Sequence, residues 1–328
     1  MKEGLAVNRF KRGDGVKFSQ IALFLCVLGG CARSVEYRDN ESPYRAEFDE
    51  PEGAGSEALS GQPKKKVWVL PFWNDTPLDY VPVDRVGSDE LKRGLYLSRK
   101  VLVLKPDQEG TPKKTSDFLA GDKIQVAQLI SEARVRGVSA VMVGRVSELK
   151  FRASQDEVGV FKQKEMKASA QVEIKIYDAT TGKELGSFGK IGRSSASTRV
   201  AVDEESLESR EFRSELLLRA VTDAVRDLSR DCSKVAEKLS WQGRIAKITG
   251  RRIYLNSGRA AGLMVGDILK VFTAGEDLYD PQSGAYLGRS PGQLKGTLEI
   301  LDFIGQDGAL SETHTGGNFG EGDVVQLY

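Results

Sequence analysis

The stretch Val67-Trp68-Val69-Leu70-Pro71-Phe72-Trp73-Asn74-Asp75-Thr76 decides how this 328-residue chain folds. Four consecutive apolar residues, 67–70, read as a strand buried on both faces, because a strand with one wet face alternates apolar and polar side chains. Three lysines, Lys64, Lys65 and Lys66, set it off on one side. Pro71, which has no N–H to give a central ladder, stops it on the other. Asn74, Asp75 and Pro77 then make a loop, and Trp73 and Tyr80 within it are candidate partner-contact residues, since aromatics in loops often anchor interfaces. The alternative for both is that they fold back onto the core.

Downstream, the spacing predicts a helix over 86–97, a strand over 101–104 and a helix over 124–135 that ends at Gly137. A strand begins at 139 and continues through Leu149 and Phe151. The clearest strand follows: Met166, Ala168, Ala170, Val172, Ile174 and Ile176 alternate with Lys167, Ser169, Gln171, Glu173 and Lys175, so one face is apolar and the other wet. Asp178-Ala179-Thr180-Thr181-Gly182-Lys183 turns the chain, and 184–188 returns as a strand. A helix over 205–230 carries an apolar stripe through Phe212, Leu216, Leu217, Ala220, Val221, Ala224 and Leu228, read as core packing.

From Trp241 the pattern changes to short strands with frequent glycine. Residues 242–248 and 252–256 form a hairpin about Thr249-Gly250-Arg251, and strands follow at 268–272, 295–301 and 324–327. Gly266-Asp267 and Gly322-Asp323 each precede a strand, glycine for a backbone shape that other residues resist and Asp to cap the turn. The expected fold class is α+β: an α/β sandwich domain over 64–235, then a small all-β barrel or sandwich over 240–328.

Upstream, Arg9, Lys11, Arg12 and Lys17 precede an uncharged apolar run, 21–28, that is too short for the roughly 20 residues a bilayer span needs. Leu28-Gly29-Gly30-Cys31 follows. It resembles the bacterial lipoprotein signal, which implies cleavage before Cys31, a signal peptide over 1–30 and acylation of the Cys31 thiol, palmitate included. An ordinary secretory signal that contains a cysteine is the alternative. Residues 31–63 are rich in Glu, Ser, Gly and Pro without apolar period, so a disordered tether is expected. Ala32, where an Asp favours inner-membrane retention in many Gram-negative lipoproteins, leans toward the outer membrane.

Composition narrows the chemistry. A net charge of +1, from 48 basic and 47 acidic side chains, gives no field to attract nucleic acid. With Cys26 in the signal and Cys31 acylated, Cys232 has no partner for an internal disulfide. It reads as a small apolar residue at a helix end rather than a reactive thiol or intermolecular bridge. His314 is the single histidine, no Gly-x-Ser-x-Gly elbow exists, and no Cys-x-x-Cys pair or Walker A sequence occurs. No catalytic residue, cofactor or metal is expected, and the glycines of 316–322 read as turn glycines.

Three motifs carry a resemblance. The 67–76 stretch, Arg136-Gly137-Val138-Ser139-Ala140-Val141-Met142-Val143-Gly144-Arg145-Val146, and Ile176-Tyr177-Asp178-Ala179-Thr180-Thr181-Gly182-Lys183-Glu184-Leu185 together resemble the curli-secretion-type (CsgG-like) periplasmic lipoproteins. The resemblance extends to the penicillin-binding-protein activators and Tol-system N-terminal domains. It covers about 66–231 and implies an anticodon-binding-like α/β sandwich. Downstream, Gly243, Ile245, Ile248, Gly250 and Ile253-Tyr254-Leu255-Asn256, then Gly262-Leu263, Val265-Gly266-Asp267, then Asp280-Pro281, Ser283-Gly284 and Leu287-Gly288 make most of 241–328 similar to the C-terminal domain of the flagellar assembly protein T family, which implies a ring component rather than an enzyme. Pore-forming curli members refold two segments into membrane hairpins. Here the corresponding segments, 149–166 and 189–203, are broken by charges or lack apolar alternation, and each mid-membrane charge costs roughly 2–4 kcal/mol.

The expectation is a non-catalytic assembly lipoprotein, tethered to the periplasmic face of the outer membrane. Its partners would be the membrane through its lipid, envelope proteins of the flagellar or peptidoglycan-synthesis machinery, and copies of itself in a homo-oligomer; nucleic acid is not among them. A secretion-pore subunit and a carboxylate-dependent envelope hydrolase are the alternatives. Replacing Cys31 by Ala is expected to move the protein from the membrane fraction to the soluble fraction at equal expression, as followed by fractionation and immunoblotting.

Overall fold

The structure is a computed structural model that describes residues 36–37, 63–105, 113–156, 163–198 and 209–328. Leu28, Gly29, Gly30 and Cys31 lie outside the described residues. The first part runs β1 (Glu36–Tyr37), β2 (Lys65–Val69), β3 (Trp73–Asn74), α1 (Val83–Ser98), β4 (Val101–Val103), β5 (Leu119–Ala120), β6 (Lys123–Ile124), α2 (Val126–Val135), β7 (Ala140–Asp156), β8 (Gln163–Asp178), β9 (Glu184–Thr198) and α3 (Arg210–Glu237). Strands β10 (Gly243–Thr249), β11 (Arg252–Leu255), β12 (Ile268–Phe272), β13 (Asp277–Tyr279), β14 (Tyr286–Arg289), β15 (Leu294–Ile304), β16 (Gly308–Gly316) and β17 (Val324–Leu327) complete it.

One seven-stranded sheet has the order β1-β9-β8-β7-β2-β4, with β3 also on β7. Strand β2 lies parallel between β4 and β7 and is buried on both faces, as its apolar run requires. Its alternation divides two cores. Val67 and Val69 join Leu91 of α1 and Leu217 of α3, whereas Trp68 and Leu70 join Leu129 and Ile130 of α2. Helices therefore cover both sides of the sheet at β2. Lys65, on the α3 side, donates from Nζ to the Glu237 carbonyl at 3.0 Å and so satisfies one of the open carbonyls at that helix's end. Burial holds the Lys65 ammonium below the usual lysine range, against the pull of Glu237.

The alternating residues of β8 all face inward: Met166, Ala168, Ala170, Val172, Ile174 and Ile176 are buried with α3 across them. Helix α3 starts at Ser209, whose side chain accepts from the Phe212 N–H at 3.2 Å. It runs on to Glu237, past the 230 expected from its stripe. Strand β9 also exceeds its expected end at 188, because its register with β8 continues to Lys164↔Thr198. Apolar alternation is weak there since α3 sits directly on glycine: a Cβ at Gly192 would collide with the Ala220 carbonyl and with Ala224. The described parts of segments 149–166 and 189–203 are thus β7, β8 and β9 of this sheet.

Within the stretch expected to be a disordered tether, Glu36–Tyr37 instead forms β1, antiparallel to β9 through Glu36↔Ser197 and Tyr37↔Ala196. Two residues suffice because an edge strand offers unpaired backbone groups to any extended segment. Composition reports on side chains and misses such backbone pairing.

The second part resolves the choice between barrel and sandwich. Strands β10-β11-β16-β15-β12-β17 close a barrel around Trp241, Ile245, Leu255, Leu269, Val271, Leu298, Ile300 and Val325. The two Gly-Asp turns work as their composition implies. Gly266 and Gly322 have φ of 90° and 89°, Asp267 accepts from the Met264 N–H at 2.8 Å, and Asp323 accepts from the Gly320 N–H at 2.7 Å. Strand β16 was not foreseen, because its outer half is Ser, Thr, Glu and His. Its partners β15 and β11 supply the order that its own apolar content does not.

Phe72, the aromatic after Pro71, is a core plug rather than a loop residue. A Cβ on either Gly87 of α1 or Gly144 of β7 would collide with its ring, so two glycines make its socket. Its backbone N–H also donates to the Asp84 carbonyl at 2.9 Å. Phe72→Ala is expected to lower the unfolding free energy by about 3–5 kcal/mol, measured by urea titration, since truncation leaves a cavity where the buried ring sat.

Candidate partner-binding surfaces

Trp73 and Tyr80 lie at the two ends of a tightly braced loop. Trp73 pairs with Arg145 of β7, whose guanidinium lies 4.9 Å over the indole ring. Arg145 also ion-pairs with Asp75, with Nε at 2.9 Å from the carboxylate. Asn74 Oδ1 accepts from the Thr76 hydroxyl at 2.7 Å, and Asn74 Nδ2 donates to the Leu78 carbonyl at 3.0 Å. Tyr80 packs against the main core, with the Arg210 guanidinium 4.8 Å over its ring. Both aromatics are half-buried, so part of each stays open to solvent.

A second surface was not legible in the sequence. The hairpin β13–β14 stands off the barrel as its own two-stranded sheet and presents Leu278, Tyr279 and Leu287 at 46%, 53% and 65% exposure. Asp280-Pro281-Gln282-Ser283-Gly284 makes the turn between its strands. Asp280 Oδ1 accepts from the N–H groups of Gln282 and Ser283 and from the Ser283 hydroxyl, bonds that hold its carboxyl below the usual range. The strands beside it carry no buried apolar face that would mark them in the sequence: all three residues of β13 are exposed.

The hairpin's base is fixed to the sheet by Arg134 of α2. Its Nε donates to the Ala179 carbonyl at 3.2 Å and Nη2 to the Thr180 carbonyl at 3.0 Å. Across the seam, Nη1 bonds Asp277 at 2.5 Å and Nη2 bonds the Tyr286 hydroxyl at 2.8 Å. Other bonds stitch the same seam: Lys66 Nζ to Asp307 at 3.1 Å, the Lys64 N–H to the Ala261 carbonyl at 2.7 Å, and the Thr180 hydroxyl to Gln242 at 2.8 Å. Gly137 and Gly182 let Asn256 and Tyr286 approach so closely that a Cβ at either glycine would strike them. The loop that begins the sheet's second hairpin and the end of α2 thus position a surface that belongs to the barrel.

Among the described residues no group of three or more His, Cys, Asp or Glu is placed to hold a metal ion, and no helix is long and apolar enough to cross a membrane. His314 lies on β16 with Nδ1 3.1 Å from the Thr297 hydroxyl. Cys232 was expected at a helix end. It lies inside α3 instead, fully buried, because the helix continues to Glu237.

No family model matches the chain, and no curated protein does. Among solved structures it is similar to lipoprotein GNA1162 from Neisseria meningitidis, at 17% identity over 39% of this chain and 82% of that one, with a TM-score of 0.28. The LpoB C-terminal domain from Salmonella enterica is similar at 13% identity over 40% and 83%, with a TM-score of 0.26. The hypothetical protein CT253 from Chlamydia trachomatis is similar at 16% identity over 53% and 98%, with a TM-score of 0.31. Bacterial lipoproteins are thus among the structural neighbours.

Burial pushes the Cys232 thiol up to about 12, with the Asp231 charge adding to the shift. The folded state therefore favours the protonated thiol. Its contribution is fully present below about pH 9, the unfolded value, and is lost as pH rises through the folded one. At about pH 8 iodoacetamide is expected to leave native Cys232 unmodified and to alkylate it in urea, as read by mass spectrometry.

Proposed function

We propose that this chain is a non-catalytic, lipid-anchored component of a bacterial cell-envelope assembly, held by acylated Cys31 at the periplasmic face of the outer membrane. In this reading 1–30 is the signal, 31–63 connects the lipid to the folded part with β1 paired to its sheet, and 64–235 and 240–328 are two domains that act together as one binding body. The observation that carries it is the β13–β14 hairpin. A soluble surface gains nothing from three adjacent exposed apolar side chains, whereas an interface uses them as anchors. The Arg134 bonds at the hairpin's base reduce the ordering cost of binding.

The Trp73–Tyr80 loop is the second contact surface. Its braced backbone and arginine-covered rings suit a protein partner, since a ring already held in place loses little freedom on docking. Envelope proteins, including those of flagellar or peptidoglycan-synthesis machinery, and further copies of the chain are the partners it would meet there.

Crosslinking in the native envelope followed by recovery of the tagged protein tests this. Leu278→Ser with Leu287→Ser, and separately Trp73→Ser with Tyr80→Ser, are expected to reduce partner recovery at unchanged expression. Each lost anchor is worth about 1–2 kcal/mol, so a pair should weaken binding by at least tenfold. Undiminished recovery from both double variants would refute the proposal.

A further inference from the structure

The seam also holds guanidiniums that it does not fully pair. Arg134 is saturated by the Ala179 and Thr180 carbonyls, Asp277 and Tyr286. Arg289 pairs directly across the hairpin from Asp277, and its Nε donates to the Gly275 carbonyl at 2.8 Å. Its two terminal nitrogens make no hydrogen bond among the described residues. Arg244 reaches the same place from the barrel. Trp241, Gly243 and Ile245 point inward, so Gln242 and Arg244 share the outer face, and Gln242 bonds Thr180 at the seam. The Arg244 backbone is held at both ends by Asn256, its N–H donating to Oδ1 at 2.8 Å and its carbonyl accepting from the Asn256 N–H at 3.1 Å.

The Arg244 guanidinium is half-buried and has no hydrogen-bond or ion-pair partner among the described residues. Burial and then the charges of Arg289 and Arg134 hold it below the usual arginine range; Arg289 is held down by burial and by Arg134, against Asp277. Arg134 is compensated by its four bonds, but the Arg244 guanidinium and the terminal nitrogens of Arg289 lose hydration without a compensating bond, which does not serve stability. Asp277 is the one carboxylate bonded to any of these three guanidiniums among the described residues, which leaves planar donor forks at Arg244 and Arg289 suited to oxyanions.

The geometry points to an anion site at the seam of sheet and barrel, formed by Arg244 and Arg289 with Arg134 behind them, that takes a dianionic phosphoryl group. Two negative charges match the two open guanidinium forks, and the terminal nitrogens of Arg244 and Arg289 supply donors to separate oxygens. The site goes beyond the assembly reading and stands or falls apart from it. A free phosphate or phosphomonoester and an anionic lipid headgroup share this chemistry.

Inorganic phosphate titrated calorimetrically into the full chain in detergent, at constant ionic strength, tests the site. Wild type is expected to bind saturably. Arg244→Gln and Arg289→Gln should each weaken binding by about tenfold or more. Arg251→Gln, which removes the same charge from the exposed barrel turn, should leave it unchanged. Thermal unfolding without phosphate separates a ligand role from a structural one: Arg244→Gln should melt no lower than wild type, because it removes an unpaired repelling charge. Flotation with phosphatidylcholine vesicles, with and without phosphatidic acid, distinguishes the sources. Acid-dependent binding lost in Arg244→Gln assigns the headgroup, and phosphate binding without it assigns the free anion. No saturable phosphate binding together with no Arg244-dependent flotation would overturn the site, as would equal weakening by Arg251→Gln or a lowered melting temperature in Arg244→Gln.

Discussion

Burial of one short strand from both sides organises this molecule. The run 67–70, which β2 enters, can be apolar on four consecutive residues only if something covers each face, and that requirement recruits α1 and α3 to one side and α2 to the other. Trp68 shows what such burial involves. Its ring meets Phe118 edge-on at a 6.1 Å centroid distance and carries the Arg136 guanidinium at 4.3 Å, so an indole with no free face is held by both dispersion and charge. The lysines before it are part of the same design. Lys65 and Lys66 alternate like their apolar neighbours, one reaching the end of α3 and the other reaching Asp307 and the Asn256 carbonyl of the barrel part.

The barrel is therefore joined to the sheet in part through its doubly covered strand β2. Polar bonds make most of that seam, and polar seams gain specificity of orientation more than net stability, because each buried charge gives up hydration to form its pair. Arg134 is the clearest case. It is 9% exposed on its side chain, and it spends its donors on two carbonyls of the sheet's turn and two side chains of the barrel's hairpin. A surface loop is converted into a rigid platform by one guanidinium.

Much of the fold was legible because it depends on periodicity. The alternation in 166–176 predicts β8 and its buried face, the run at 67–70 predicts a doubly covered strand, and the Gly-Asp pairs predict turns whose glycines do have positive φ. What escaped has a common cause. Strand β16, the outer half of β9, and β1 are ordered by backbone pairing to neighbours rather than by their own apolar content. Cys232 and the end of α3 were misplaced because the helix continues beneath neighbours that the sequence does not reveal.

The sequence by itself determined the lipobox-like pattern, the two-part composition, the narrow choice of catalytic chemistry and the strand that needs two covers. These are local properties, set by charge, hydropathy and residue type within a few positions. Only the tertiary structure decided that the barrel closes, that Trp73 is capped by Arg145, and that Arg134 and Arg289 meet at Asp277. Those residues lie far apart along the chain and carry no shared motif. Their meeting depends on how α2, the 178–183 turn and the barrel pack together, and long-range packing leaves no periodic trace in sequence.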